Sequence, residues 1–234
     1  IGYGGETINT LRLWQAEAIN PFDLKEFNEQ NYELCVIDKN RAETITKVLY
    51  PNDTKDEGKI LRLKQQYFLV SASLQDLVRF HLEEYNSLDN FHELHGIQLN
   101  DTHPSMAIPE MMRILTKIYN VDWNKAWNIT VQTFAYTNHT ILKEALEQWP
   151  VNLYKTVLPE VYEIVEEINR KLILELRGKG ISEEEILDYK IIEGNSIKTA
   201  YLSIYGTHST NGVAKVHSDI LAHRELNNWY RIYP

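Results

Sequence analysis

The clearest periodicity in the chain lies between Ile60 and Tyr85. Ile60, Leu63, Tyr67, Val70, Leu74, Leu77, His81 and Tyr85 recur at steps of three and four, the spacing that places side chains on one helical face. The pattern predicts an amphipathic helix of about seven turns. Gln65, Gln66, Ser71 and Ser73 stand where a coiled coil would carry charged flanks, so a lone scaffold helix is expected. Upstream, Ile8–Trp14 reads as strand-like, and the stretch up to Asp56 as polar and rich in turns.

From Gly96 onward short apolar runs alternate with helical ones. Ile97–Leu99 predicts a strand. Ile108, Met111, Met112, Leu115, Ile118 and Tyr119 then share a helical face, with Pro109 suited to the first turn. Asp122 is placed to cap a helix burying Trp123, Ala126, Trp127 and Thr130. Val131–Tyr136 predicts a second strand, and Leu142–Trp149 a helix interrupted by Pro150. A long helix follows from about Val157 to Leu176, closed by Gly178 and Gly180. Ser182 and the acidic Glu183-Glu184-Glu185 suit the first turn of another. Tyr201–Tyr205 predicts a third strand, and Val213, Val216, Ile220 and Leu221 the apolar face of the helix after it.

Strands and helices alternating in this way imply parallel βαβ units, an α/β fold with a Rossmann-like parallel sheet flanked by helices. Ligands of such sheets bind beyond the carboxyl ends of the strands. Three polar clusters fall there in this reading: Asn100–His103, Tyr136–Thr140 and Gly206–Gly212. Each holds one histidine among hydroxyl and amide side chains, neutral groups that both donate to and accept from sugar hydroxyls. The plainer alternative is that these short polar residues only cap the helices that follow.

Composition narrows the ligand. The chain has 234 residues, 43% hydrophobic and 24% charged, with a net charge of -9 and no basic run. Those are values of a soluble globular protein, and nucleic acid is disfavoured as a partner. Cys35 is the one cysteine, so no intrachain disulfide is possible and a reducing, cytoplasmic compartment is expected. No apolar run approaches the roughly 20 residues needed to span a bilayer, so no membrane partner is expected. The chain opens Ile1-Gly2-Tyr3-Gly4-Gly5 without initiator Met or leader pattern and closes at Pro234 without a capping signal. It reads as a piece of something longer.

Other chemistries fit less well. His103, His139 and His208 with Asp101 are metal-ligand types, but they lie on three separate loops, and His92-Glu93-Leu94-His95 lacks the zinc-protease spacing. No metal is expected. A Gly-x-Ser-x-Gly elbow is missing, and Gly2, Gly4 and Gly5 make no dinucleotide fingerprint. A glycosidase would need two carboxylates about one bond. Asp101 is well placed for that role, while Glu144 and Glu147 fall inside the expected helix at Leu142–Trp149.

Several long segments resemble the glycogen/starch (α-glucan) phosphorylases. They are Thr10–Trp14 (TLRLW), Val48–Asp53 (VLYPND), Gly58–Phe68 (GKILRLKQQYF), Ile97–Pro109 (IQLNDTHPSMAIP), Ala135–Pro150 (AYTNHTILKEALEQWP) and Asn211–Leu221 (NGVAKVHSDIL). The resemblance covers essentially the whole chain in order. It implies part of the N-terminal, glucan-binding domain, residues 1–234, of a two-domain GT-B glycosyltransferase. Such enzymes use inorganic phosphate to release glucose 1-phosphate, with retention, from the non-reducing end of an α-1,4-glucan. The implied cofactor is pyridoxal phosphate, whose lysine belongs to a C-terminal domain absent here, so no cofactor-binding residue is expected in this chain. The fragment alone is expected to be inactive, and the full-length parent a homodimer.

Carried over by motif, His139 resembles the catalytic-site residue contacting the glucosyl unit, placed by Asn138 and Thr140. Asp101 and His103 resemble the pair on the acceptor side. His208, Asn211 and Val213 fall in a segment resembling the loop that meets the sugar. Tyr50–Gly58 resembles the gate loop, with Thr54 as its substrate-facing residue. Thr54, Lys55 and Asp56 stand where an Asn and two aromatics are typical, Phe80 where regulated animal enzymes have a second arginine, and Lys143 where Pro is usual. These departures point to a microbial enzyme without animal-type control. The reading from a different class is a stand-alone, non-catalytic sugar-binding or assembly module; a metal hydrolase is a third.

Overall fold

The computed structural model describes residues 3–6 and 10–234. The chain divides into two compact units, residues 1–69 and 70–234. In the first unit, α1 (Leu24–Asn28) begins at Asp23, whose carboxylate accepts the backbone amides of Lys25 and Glu26. Next comes α2 (Ile37–Lys47), and then α3 (Asp56–Tyr85), the long helix that the three-and-four spacing predicts. Cys35 is buried and donates its S–H to the Tyr32 carbonyl at 3.0 Å. The strand expected at Ile8–Trp14 lies partly outside the described residues, and residues 10–14 form no strand.

The turn between α2 and α3 is specified atom by atom. Asn52 Oδ1 accepts both the amide and the hydroxyl of Thr54, at 3.0 and 2.8 Å. Asp53 pairs with Arg62 at 2.7 Å, and that bond holds the Asp53 carboxyl below its ordinary value. A Cβ at Gly58 would sit 1.8 Å from the Asn52 carbonyl oxygen. Only glycine allows the backbone to approach itself this closely.

In the second unit the remainder of α3 leads through α4 (Phe91–Leu94) to β1 (Ile97–Asn100). The His92–His95 segment holds most of this helical turn. Then come α5 (Ala107–Arg113), continued by a π-turn over Ile114–Ile118, α6 (Trp123–Thr133) and β2 (Phe134–Asn138). Asp122 caps α6 as expected, accepting from Asn124 and Lys125. The helix runs to Thr133, so the second strand starts three residues later than the sequence suggests. In this stretch β-branched and aromatic residues fit either state, and burial of Ile129, Thr130 and Thr133 on one face decides for helix.

The segment Leu142–Trp149 is not a helix. One short turn at Lys143–Ala145 gives way to β3 (Gln148–Pro150), which pairs antiparallel with β5 (Ser196–Lys198), itself paired with β4 (Ile192–Glu193). The partner strand lies far away in sequence, so no local pattern could announce it. Between them run α7 (Val151–Val157), α8 (Pro159–Gly178) and α9 (Glu183–Ile186). In α8, Pro159 stands in the first turn, Val161, Ile164, Val165, Ile168, Leu172 and Leu176 are buried at helical spacing, and the helix packs on α5, α7 and α9. Ser182 and Glu185 form a reciprocal capping box on α9. Asn169 on α8 accepts the amides of Ile191 and Ile192 through one oxygen, fixing the start of β4.

The expected strand at Tyr201–Tyr205 is the helix α10 (Thr199–Tyr205). Its residues Thr199–Ser203 are all buried, and a helix covered on every side shows no amphipathic period. The third parallel strand is β6 (Thr210–Gly212), followed by α11 (Lys215–Ile220), a π-turn over Leu221–Glu225 and α12 (Asn227–Ile232). Val213 and Val216 face outward, and His217 takes the buried position on α11. The parallel sheet has the order β1-β2-β6. Leu99, Phe134 and Tyr136 on its strands are buried, as are Ile108, Met111 and Leu115 after β1, each apolar burial of this size contributing on the order of 1.5–3 kcal/mol. Among the described residues no helix is long and apolar enough to cross a membrane.

One pair of histidines, His81 buried and His95 partly so, gives the unit a pH dependence. His81 Nε2 donates to the Ser87 carbonyl at 2.8 Å, so its Nδ1 accepts from His95 Nε2 at 3.0 Å. Burial first, then His81, holds the His95 imidazole below its ordinary value. The unfolded chain therefore takes up the proton first, and stability present above roughly pH 6.5 is lost as pH falls below it. A urea midpoint that drops between about pH 7.5 and about pH 5.5, and drops less in His95→Gln, is the expected result. Equal drops in both proteins would remove His95 as the cause.

Candidate functional site

The carboxyl ends of β1, β2 and β6 lie side by side, because Asn100 pairs with Thr137 and Thr137 with Asn211 across the parallel ladder. A polar row crosses all three strands. Gln98 donates to the Thr137 hydroxyl at 2.6 Å, Thr137 donates to Asn211 Oδ1 at 3.0 Å, and Asn211 donates to the Gly212 carbonyl at 2.8 Å. Just beyond β2, His139 Nε2 donates to Asn100 Oδ1 at 2.5 Å. That bond spans two strand ends, holds the exposed imidazole in place and leaves Nδ1 as its free face in the neutral ring.

The residues flanking His139 act inward. Asn138 is fully buried; its amide donates to the Tyr136 hydroxyl at 2.8 Å, and its oxygen accepts the Thr140 amide at 2.8 Å. The turn around His139 is thus pinned from below. Burial raises the Tyr136 phenol well above its ordinary value, the Asn138 bond opposes this, and Asp101 and Glu147 add to it. The phenol therefore stays neutral at any physiological pH.

After β1 the chain turns sharply. Asp101 adopts φ +66°, a left-handed conformation uncommon outside glycine and asparagine, and its carboxylate accepts the Thr102 amide at 2.6 Å. Thr102 is buried and also donates to Glu147 Oε2 at 3.3 Å, and His103 Nδ1 lies 3.6 Å from Glu147 Oε1. Two carboxylates, an imidazole and a phenol thus share this part of the wall. Glu147 reaches it because β3 pulls the preceding chain out of helical form, and Thr199 Oγ1 anchors its carbonyl at 2.7 Å. Sequence reasoning placed Glu147 in a helix, and nothing local could have moved it.

The third cluster is split by its strand. Asn211 and Val213 stand at the carboxyl end of β6, next to the His139 turn. His208 does not sit at that strand end, since its backbone amide donates to the Phe134 carbonyl at 3.0 Å, at the start of β2. That is the opposite end of the sheet, roughly 13 Å away along the strand. There it lines a cavity of about 730 Å³ together with Trp127, Tyr205, Trp229 and Tyr233, and Asn211 and Gly212 line the same cavity. The displacement follows from α10 being a helix: the cluster precedes its strand instead of following one. Thr54 belongs to the first unit, in the turn described above.

His217 is the second residue that sequence reasoning missed. It is 6% exposed; its Nδ1 accepts the Val213 amide at 3.2 Å, and its Nε2 donates to the Thr140 carbonyl at 3.4 Å. Ser218 Oγ accepts the Gly212 amide at 3.0 Å. Among the described residues no group of three potential ligands could hold a metal ion. The wall offers hydroxyls, amides and imidazoles for a neutral polyhydroxylated ligand.

A profile of the carbohydrate phosphorylase family matches residues 1–234. The chain is 46% identical to the muscle form of glycogen phosphorylase from Mus musculus and 47% identical to the liver form from Homo sapiens, over 100% of this chain and 29% of each relative. It is 44% identical to glycogen phosphorylase from Synechocystis sp., over 100% of this chain and 28% of that protein. The chain thus spans under a third of the length of these relatives. With its parallel sheet and its full length matched, this chain belongs to the carbohydrate phosphorylase family.

Proposed function

We propose that this chain forms the glucan-side wall of an α-1,4-glucan phosphorylase and carries no turnover alone. The carrying observation is the meeting of His139, Asn100, Asp101, Asn211 and Val213 at the carboxyl edge of one parallel sheet, in a chain matched over its length by glycogen phosphorylases. In the reaction a phosphate oxygen bonds to C1 of the terminal glucose, the C1–O4 bond breaks, and O4 of the shortened glucan takes a proton. The wall's part is to hold the glucosyl unit through His139 and the backbone near Val213, and the departing saccharide through Asp101 and His103. Held this way, the sugar needs little reorientation to react. The substrates are α-1,4-glucan and inorganic phosphate, with Thr54 on the gate that admits them. A cytoplasmic homodimer completes the proposal.

The family's cofactor is pyridoxal phosphate, which would need a lysine amine and positive charge for its phosphate. The bonds described above build the wall from amide, hydroxyl, carboxylate and imidazole side chains. That set of groups does not fit the cofactor. The stand-alone binding module is the weaker reading, since the relatives matched over the whole chain are phosphorylases.

The test is incubation of the full-length parent with maltodextrin and phosphate, with glucose 1-phosphate as the expected product. No glucose 1-phosphate from glycogen, starch or maltodextrin would overturn the proposal. The 234-residue chain by itself is expected neither to release glucose 1-phosphate nor to retain pyridoxal phosphate on dialysis.

A further inference from the structure

His217 is a buried titratable group without a part in the reaction as described, and both its ring nitrogens are committed. The Val213 amide can only donate, so Nδ1 must be unprotonated. The Thr140 carbonyl can only accept, so Nε2 must carry the proton. The two partners lie on different loops: Thr140 follows His139, and Val213 follows β6. The fit is tight, since a Cβ on Gly212 would stand 2.7 Å from His217 Cγ and 2.9 Å from both its Nδ1 and the Ser218 amide. Glycine at 212 is therefore what lets the ring lie against the end of β6.

We propose that His217 is a positioning residue, a neutral Nε2–H imidazole that ties the His139 turn to the Asn211–Val213 turn. The tie sets the spacing of the two loops that hold the glucosyl unit. This rests on the phosphorylase reading for its kinetic consequence, but not for the tautomer or the tie. A second proton on the ring would turn Nδ1 from acceptor to donor and set it against the Val213 amide. An apolar residue of equal size would fill the space without fixing either loop.

Two side chains separate the two contacts. Asparagine can place an oxygen near the Nδ1 position and keep the Val213 bond; glutamine can place an N–H near the Nε2 position and keep the Thr140 bond. In the full-length parent, His217→Asn and His217→Gln are each expected to lower kcat about 10-fold, and His217→Ala about 100-fold, the scale of a misplacement near 1 Å. KM for inorganic phosphate should be unchanged and the melting midpoints of the Asn and Gln variants close to wild type. In the 234-residue chain, ¹⁵N spectra should show the His217 ring as the Nε2–H tautomer, and His217→Gln should speed exchange of the Val213 amide.

An Nδ1–H ring, or a Val213 amide indifferent to the Gln variant, would overturn the tie itself. Wild-type kcat in both the Asn and Gln variants would overturn its positioning role. Parallel losses in kcat, phosphate KM and melting midpoint would reduce His217 to a structural residue and overturn it equally. If the wild-type parent makes no glucose 1-phosphate, the phosphorylase reading falls, while the spectra still decide the tie.

Discussion

Replacement of His139 by alanine in the full-length parent is expected to lower kcat/KM for phosphorolysis by roughly 10²–10³-fold, the cost of removing one preorganised polar contact to the reacting group. The fold should not suffer, because the ring is exposed and its one bond, to Asn100 Oδ1, is also at the surface. A melting midpoint near that of wild type would therefore accompany the loss. His139→Gln can still donate toward Asn100 and should recover part of the rate. The division between constants is informative: a fall in kcat with KM for glucan unchanged marks a contact strengthened in the transition state, whereas a rise in KM alone marks plain substrate binding. Wild-type kinetics in His139→Ala would remove this residue from the site.

The largest effect on stability is expected at Glu110. Its side chain is fully buried on α5 and accepts two bonds from Arg113, at 2.8 and 2.9 Å, and one from the Ser71 hydroxyl at 2.6 Å. Glu110→Ala takes two bonds from the largely buried Arg113 guanidinium and opens a hole beside it, while the 3.4 Å contact to the exposed Glu160 remains. Breaking one side of a buried pair typically costs about 3–5 kcal/mol. For a unit of this size that lowers the melting midpoint by about 10 °C. Replacing both residues with methionine should cost much less, since it removes both charges and roughly preserves volume. A thermal melt of the two proteins checks this. If the single variant melts no lower than the double one, the pair is not what secures α5. The consequence reaches the site, because α5 follows directly on the Asp101–His103 turn.

These expectations draw on very different amounts of sequence information. The spine of α3, the cap at Asp122, the acidic first turn after Ser182 and the long helix α8 were all legible, because each depends on residues within a few positions of one another. Legible too were Asn100, Asp101 and His139, since a short apolar run followed by polar residues is a local signal of a strand end. The Tyr201–Tyr205 run shows where such reasoning stops. Five apolar or small residues in succession suit a buried helix and a buried strand alike, and only the surrounding packing chooses. Reading it as a strand carried His208 to the wrong end of the sheet.

The sequence by itself determined the class of the fold, the family and the polar character of the two loops after β1 and β2. Those properties are written in contiguous motifs and in spacings set by the helix and strand repeats. The tertiary structure alone decided that Glu147 turns toward Thr102 and His103, since β3, which starts at the next residue, forms against Ser196–Lys198. It likewise decided that His217 sits inward between Thr140 and Val213, a place that the apolar valines beside it had concealed. The physical reason is the same in both cases. A side chain's partners across the fold are fixed by which distant backbone it packs against, and burial and hydrogen bonding there outweigh the preference of the local chain.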